Sequence, residues 1–123
     1  MPVQVRRVDG SVIGAGATVR DIVAACAVPL SAHRRADLVG ANLPGVDLSS
    51  MDLRFMDFEG AQLQRANLSG ADLSWSGLVG ANLYGANLTG AKLVGADLYG
   101  TNLVGADFSE ANTHGSCIWR ARF

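Results

Sequence analysis

The sequence contains few cysteines, and this scarcity excludes two common classes of small protein. The 123 residues include only Cys26 and Cys117, which are far apart in the chain. Two cysteines at this spacing form neither a disulfide framework nor a zinc-binding motif. We therefore expect no metal site and no cofactor.

Long hydrophobic runs and an excess of charge of one sign are also missing. The longest apolar run, Ile22–Leu30, has nine residues and contains Pro29, whereas a membrane-spanning helix needs about 20. The net charge of −1 gives no basic surface of the kind that binds nucleic acid through charge alone. We expect no membrane contact and no direct binding to nucleic acid.

One segment looks like a lipoprotein cleavage site, namely Val-Ala-Ala-Cys at residues 23–26. A signal peptide requires an uncharged apolar stretch before such a site. Asp9, Arg20 and Asp21 interrupt that stretch. A short buried helix accounts for the segment better, and the sequence therefore predicts a cytoplasmic protein.

What the sequence does contain is a repeat with a period of five residues, from residue 36 to residue 123. An apolar residue stands at the centre of nearly every pentapeptide, and 13 of the 18 centres are leucine. Alanine precedes 12 of these centres by two residues, and glycine follows 11 of the first 17 by two residues. A tandem repeat of this length takes precedence over other signals for the fold class.

A period of five fits neither regular secondary structure. Five residues turn an α-helix by about 500°, so successive leucines would spread around the helix. In a straight strand, a step of five moves each leucine to the opposite face. All the leucines stay on the inside if the chain bends once in every pentapeptide, always in the same direction. Four bends then close a square coil of about 20 residues, and successive coils stack about 4.8 Å apart.

The tandem motif Ala-(Asp/Asn)-Leu-x-Gly, as at residues 81–85, resembles the pentapeptide-repeat proteins. The resemblance implies an all-β solenoid, a right-handed quadrilateral β-helix, with about four coils over residues 36–123. The family occurs in bacteria and in phages, so association with a phage particle is the alternative localisation. Longer members form dimers through their C-terminal ends, and some bind DNA gyrase or related topoisomerases as mimics of duplex DNA.

Residues 1–35 lie outside the repeat and are expected to form a separate N-terminal unit. Two short strands flank Asp9-Gly10, which is a hairpin turn signal. Thr18 is suited to cap a helix, with Asp21 as its capping-box partner, and Pro29 would end that helix. One apolar stripe of this helix comprises Val19, Ile22, Val23 and Cys26. We expect the hairpin and helix to cover the first coil as a lid.

The C-terminal end has no such lid in the sequence. Ile118, Trp119 and Phe123 would leave apolar surface exposed on the last coil, and a second copy stacked on this end would bury it. We therefore expect a homodimer through the C-terminal end. In the alternative, Trp119 and Arg122 fold over the last coil and the protein is a monomer.

The outer faces of the predicted rod supply the candidate contact sites. Residues 20 apart fall in columns, and two adjacent columns become apolar or aromatic toward the C-terminus. The candidate protein-interaction residues are Val79, Tyr84, Tyr99, Val104 and Trp119. Phe55 and Trp75, at corners where glycine is usual, are expected to stack on each other as local packing, with a second contact point as the alternative. The Asp and Asn residues before the centres are expected to bond the backbone at the turns rather than to bind metal.

The outer residues and the charge of the repeat bear on three possible functions. Catalysis is not expected, because His114 and Cys117 have no third group to orient them. Mimicry of DNA needs about 12 negative charges over a rod of about 21 Å, whereas residues 36–123 hold nine acidic and five basic residues, a net charge of −4. A topoisomerase-binding DNA mimic is therefore the second choice. The preferred function is a non-catalytic rigid module that binds a protein partner or has a structural role.

Overall fold

The computed structural model describes residues 3–16, 18–26 and 37–123. The N-terminal part holds strand β1 (Val3–Arg6), strand β2 (Val12–Gly16) and helix α1 (Val19–Cys26). The rest of the described chain is a continuous succession of isolated bridges and turns with a period of five residues. In the described ranges, no helix has the length and apolar character that crossing a membrane requires.

The N-terminal hairpin forms where Asp9-Gly10 predicts it. Strands β1 and β2 pair antiparallel, with Val3 opposite Gly16 and an irregularity after Val5. Gly10 adopts a φ of 89°, and the Asp9 side chain accepts a hydrogen bond from the Ser11 amide at 2.8 Å. These contacts confirm the predicted turn.

Helix α1 begins as the capping pattern predicts. The Asp21 amide donates to the Thr18 hydroxyl at 3.1 Å, and that hydroxyl donates to the Asp21 carboxylate at 2.7 Å. Val23 is fully buried in the core, and Val19 packs against the core from its edge. The helix ends at Cys26, and the predicted stop at Pro29 lies outside the described residues.

Stacked coils of 20 residues make up the repeat region. Fourteen parallel bridges, from Asp37↔Asp57 to Asn102↔Arg122, each join residues that are 20 apart. In the middle of the stack, the Leu83 amide donates to Asn102 in the next coil and the Asn82 amide donates to Ala61 in the previous one. The period of five thus produces the square coil that the sequence predicts.

Each corner is a β-turn that requires a left-handed residue. In a typical turn, the Ala41 amide donates to the Leu38 carbonyl, and Gly40 has a φ of 64°. Type II turns need such a positive φ at their third residue, which favours glycine. Six corners nevertheless carry side chains in this conformation, namely Ser50, Phe55, Arg65, Trp75, Glu110 and Arg120.

Asp and Asn side chains before the centres complete the turns. In twelve pentapeptides the Oδ1 atom accepts a hydrogen bond from the amide two residues later, as Asn87 does from Thr89 at 3.0 Å. The predicted structural role of these residues is therefore confirmed. The repeated bond explains why the position before the centre is so often Asp or Asn.

The core is a column of leucines. Every centre from Leu38 to Leu103 is at most 4% exposed. Bulkier inward residues lie near the N-terminal end, where Met56 and Phe58 are buried and Met51 is partly buried. Leucine, methionine and phenylalanine side chains therefore fill the interior along this part of the stack.

Two buried polar side chains occupy inward positions where alanine is usual. Thr101 is fully buried and its hydroxyl donates to the Leu78 carbonyl at 2.7 Å. Ser76 is 1% exposed, and its hydroxyl has no hydrogen-bond partner. A buried hydroxyl without a partner destabilises the fold because it loses its bonds to water.

Ser76→Ala is therefore expected to raise the free energy of unfolding by about 1–2 kcal/mol. Thr101→Val is the matched control and should lower it, because that hydroxyl has a partner. Urea denaturation followed by circular dichroism measures both changes. A loss of stability in Ser76→Ala would contradict the assignment of this hydroxyl as unsatisfied.

Candidate protein-contact surfaces

The hydrogen-bond pattern makes the two ends of the stack chemically unequal. In each pentapeptide, the amides of the centre and of the corner donate toward the next coil, while only the amide before the centre donates backward. The first coil therefore presents mainly carbonyl acceptors at the N-terminal end, and the last coil presents mainly N–H donors at the C-terminal end. Each end needs partners of the opposite kind.

The backbone of the N-terminal hairpin exchanges hydrogen bonds with the first coil. The Val8 amide donates to the Gly40 carbonyl at 2.7 Å, and the Asn42 amide donates to the Arg6 carbonyl at 2.7 Å. Arg7 also pairs with Ala41 as an antiparallel bridge. The hairpin thus continues the hydrogen bonding of the stack at this end.

Two arginine side chains complete these contacts. The Arg7 guanidinium donates to the Val39 carbonyl and forms an ion pair with Asp37 at 3.0 Å. From helix α1, Arg20 donates to the Ser49 carbonyl at 3.0 Å and lies 3.6 Å from an Asp47 carboxylate oxygen. Guanidinium groups carry several donors and no acceptor, which is the chemistry that an edge rich in carbonyls requires.

Arg7→Met is expected to reduce the hydrogen-exchange protection of the Val8 and Asn42 amides about tenfold, because it removes charge-assisted bonds beside them. Arg6→Met is the control, since within the described ranges the Arg6 side chain bonds Gly10 and Gln4 of the hairpin. Amide exchange followed by NMR distinguishes the two variants. Equal losses of protection in both would rule out a specific role for Arg7.

Apolar side chains are exposed on the last coil of the described chain. Ile118 is 51% exposed and Phe123 is 67% exposed. The Phe108 and Phe123 rings lie with their centroids 6.1 Å apart. A depression of about 360 Å³ is lined by Leu98, Phe108, Ala111, Thr113, Ile118 and Phe123.

Trp119 does not line this depression. Its side chain is 68% exposed, on a pentapeptide position that projects from the side of the stack. Of the three residues predicted at the dimer contact, the structure brings Ile118 and Phe123 together and leaves Trp119 apart. Arg122 is also exposed, so the alternative in which Trp119 and Arg122 fold over the last coil is not observed.

The other candidate interaction residues lie on the sides of the stack. Tyr84, Tyr99 and Val104 are exposed, and Val79 is partly buried. The Tyr84 amide is held by Asn82 and the Tyr99 amide by Asp97, at 3.1 and 3.0 Å. The backbone beneath these side chains is therefore held by the same amide-to-Asp or amide-to-Asn hydrogen bonds that recur along the stack.

A different side carries hydroxyl groups. The Ser49 and Ser69 hydroxyls donate to the preceding Asp47 and Asn67 at 2.7 Å. The hydroxyl bond from Ser49, followed by that from its amide, holds the pKa of Asp47 below its ordinary value. Ser109 lowers the pKa of Asp107 in the same way. These hydroxyls already bond neighbouring side chains. Substitutions on this side therefore serve as the control for substitutions at Tyr84 and Tyr99.

The prediction that Phe55 and Trp75 stack on each other is wrong. Among the described residues, the aromatic pair is Phe108–Phe123. The Trp75 ring instead lies against the next coil, where a Cβ added to Gly95 would meet its ring carbons at 2.4 Å. Glycine at position 95 leaves room for the ring against the backbone of the next coil.

The remaining pair considered from the sequence, His114 and Cys117, lies on the exposed surface. The His114 amide donates to Asn112, and no hydrogen bond joins the two side chains in the part of the chain that the structure describes. His33 lies outside the described residues.

Comparison with known proteins now identifies the family. The pentapeptide repeat model matches residues 34–70, 45–77 and 81–116, in eight copies. The chain belongs to the pentapeptide repeat family. The family and structural matches imply its right-handed quadrilateral β-helix, and proteins of this family are generally non-catalytic.

Several solved structures are similar. Rfr23 from the cyanobacterium Cyanothece 51142 is 34% identical, with a TM-score of 0.51 over 76% of this chain and 67% of that one. A protein of the Arabidopsis thaliana thylakoid lumen is 36% identical, with a TM-score of 0.42 over 65% and 59%. QnrB1, a plasmid-mediated fluoroquinolone resistance protein, is 19% identical, with a TM-score of 0.47 over 69% and 48%. No curated protein sequence gives a match.

Proposed function

We propose that this chain is a non-catalytic, rigid protein-interaction or structural module of a bacterium or phage. Its unit is a β-helix of about four coils over residues 36–123, closed at the N-terminal end by the hairpin and helix of residues 1–35. It acts in the cytoplasm or on a phage particle. The observation that carries the proposal is a set of exposed aromatic and apolar side chains on a fixed backbone.

Tyr84 and Tyr99 support this function most directly. Tyr84 is 45% exposed and Tyr99 is 36% exposed, on adjacent sides of the stack. Because the coils fix their backbone, these rings lose little conformational freedom when a partner binds. Exposed aromatic side chains on a preformed surface are typical of protein–protein contacts.

The test is capture of the partner from the native host with paired surface variants. Tyr84→Ser with Tyr99→Ser should lose the captured protein, while Ser69→Ala with Ser109→Ala should retain it. Both pairs change exposed or half-exposed positions after a centre, so both should keep the wild-type thermal stability. Retention of the partner by the tyrosine variant would reject these surfaces as the contact.

The C-terminal end is proposed to form a homodimer. Two such ends both present mainly N–H donors, so they cannot continue the ladder into one another. The contact therefore depends on apolar side chains, and Ile118 and Phe123 are the main candidates, with Trp119 at the rim. A two-fold contact of this kind is closed and does not polymerise.

Light scattering tests the dimer. The wild type should be a dimer at high concentration, and Ile118→Glu with Phe123→Glu should be a monomer that keeps its circular dichroism spectrum. A monomeric wild type, or a dimer unaffected by both charges, would overturn this contact. Tyr84 and Tyr99 would then be the next candidates for self-association.

The alternative function, a DNA-mimicking binder of DNA gyrase or another topoisomerase, is not preferred because of its charge. A net charge of −4 over residues 36–123 is about a third of what duplex DNA carries over the same length. In a supercoiling assay, we expect no inhibition and no drug protection at sub-micromolar protein. Either effect would promote this alternative above the proposed function.

A further inference from the structure

The corner occupied by Phe55 and Trp75 is an unusual use of left-handed backbone. Six corners lack glycine, and these two are the apolar ones among them, on consecutive coils. Their φ angles are 60° and 61°, a conformation that is unfavourable for bulky residues. Both side chains remain about half exposed, at 47% and 53%. The unfavourable backbone conformation at these corners therefore places aromatic side chains on the surface and does not fill the core.

The Trp75 ring is also held in place. Its ring atoms occupy the space beside Gly95, so one part of the ring lies against the backbone of the next coil. The rest of the ring remains in contact with solvent. A ring fixed in this way offers a preformed surface, and a partner that binds it does not have to order it first.

The side of the stack that follows this corner is acidic. Asp57 and Asp97 stand in one column with Gly77 between them, which contributes no side chain. Glu59 extends from the same side. No arginine or lysine of the described residues forms an ion pair with these three carboxylates, whereas Asp37, in the first coil of the same column, is paired with Arg7 at 3.0 Å.

One backbone donor adds to this surface. In twelve pentapeptides the amide after the centre bonds an Asp or Asn side chain, but Gly77 has none to offer. The Val79 amide accordingly has no acceptor among the described residues. An extended polypeptide laid along this side would provide a carbonyl for it.

We propose that the Phe55–Trp75 corner and the adjoining acidic side bind an extended, arginine-rich segment of a partner protein. Guanidinium groups stack on aromatic rings and pair with carboxylates, and both kinds of group are present here. The same carboxylates repel nucleic acid and anionic membranes. This inference rests on the proposed function, since it names the chemistry of one protein partner of the rod.

The experiment uses the Trp119→Phe variant, in which Trp75 is the only tryptophan. The probe is a fluorescein-labelled 12-residue peptide of alternating Arg and Gly, with a Glu-Gly peptide as its counterpart. We expect saturable binding by anisotropy and a change in Trp75 emission with the Arg peptide only. Trp75→Gly, which installs the usual corner residue, should weaken peptide binding about tenfold.

Charge is tested with isosteric variants. Asp57→Asn with Asp97→Asn keeps the acceptors for the Glu59 and Tyr99 amides and should also weaken binding about tenfold. Asp107→Asn, on the hydroxyl side, removes a charge without touching this surface and should leave the affinity unchanged. Thermal melts confirm that each variant is folded.

Equal weakening in Asp107→Asn and in the Asp57/Asp97 variant would overturn the inference, because it would indicate attraction by net charge alone. Binding of the Glu-Gly peptide, or unchanged Trp75 emission at saturation, would also overturn it. A native partner lost with Tyr84→Ser alone but retained by Trp75→Gly and by Asp57→Asn with Asp97→Asn would refute this surface while leaving the proposed function intact.

Discussion

Leu83→Asp is expected to lower the free energy of unfolding by more than about 4 kcal/mol, or to prevent folding altogether. Leu83 is fully buried, with a leucine centre in the coil before it and another in the coil after it. A carboxylate at this position would have neither water nor a cation to compensate its charge. Thermal and urea denaturation measure the loss.

Asn82→Asp is the matched control, one residue away. The Asn82 Oδ1 atom accepts bonds from the Tyr84 amide at 3.1 Å and from the Asn102 side chain at 3.3 Å. A carboxylate oxygen can accept both bonds, and the side chain is partly exposed. We expect a change of less than about 0.5 kcal/mol. Equal stability of the two variants would disprove the assignment of inward and outward positions.

Gly95→Ala is expected to have the second largest effect, about 2–3 kcal/mol. Part of the loss, about 1 kcal/mol, comes from placing alanine at a φ of 65°. The remainder comes from the Trp75 ring, which an alanine Cβ at 2.4 Å would displace from the backbone. Loss of that apolar contact adds about 1–2 kcal/mol.

Gly90→Ala isolates the backbone contribution. Gly90 has a φ of 66°, and a Cβ there would meet nothing within 4 Å. Gly90→Ala should therefore lower the free energy of unfolding only by the backbone contribution of about 1 kcal/mol. In a Trp75→Gly background, Gly95→Ala should cost the same as Gly90→Ala, because the ring is gone. A full-sized loss in that background would show that Trp75 is not responsible.

The stacked coils could be predicted from the sequence because one geometric condition governs the whole repeat. A leucine every fifth residue is kept inside only if the chain bends in each pentapeptide, and glycine and Asp or Asn stand where such a turn uses them. Thr18 and Asp21 likewise define the start of helix α1 through a local bond. Interactions between residues that are only a few positions apart can be predicted from a sequence.

Contacts between distant residues were harder to predict. Nothing about Arg7 or Arg20 indicates that their side chains bond carbonyls of the first coil, since 29 or more residues separate most of these partners. The Trp75 contact with Gly95 was also missed, although residues 20 apart were known to be neighbours. Gly95 is the residue that could have indicated this contact, because the lack of a Cβ at this position leaves space for a ring.

The contact surfaces fall between these two cases. The period of five correctly places Tyr84, Tyr99 and Val104 on the outside, because position within the pentapeptide determines direction. It also places Trp119 outside but does not separate it from Ile118 and Phe123, which share the open end. Pentapeptide position alone does not say which side of a square rod meets a partner.

Site-specific photo-crosslinking in the native host tests the central claim most directly, that the aromatic sides of the rod contact a protein partner. Benzoylphenylalanine placed at Tyr84 or Tyr99 should form a discrete protein adduct, and the same group at Ser109 should form none. All three positions are exposed, so accessibility does not decide the result. An adduct at Ser109 but not at the tyrosines, or adducts of equal yield at all three, would contradict the account.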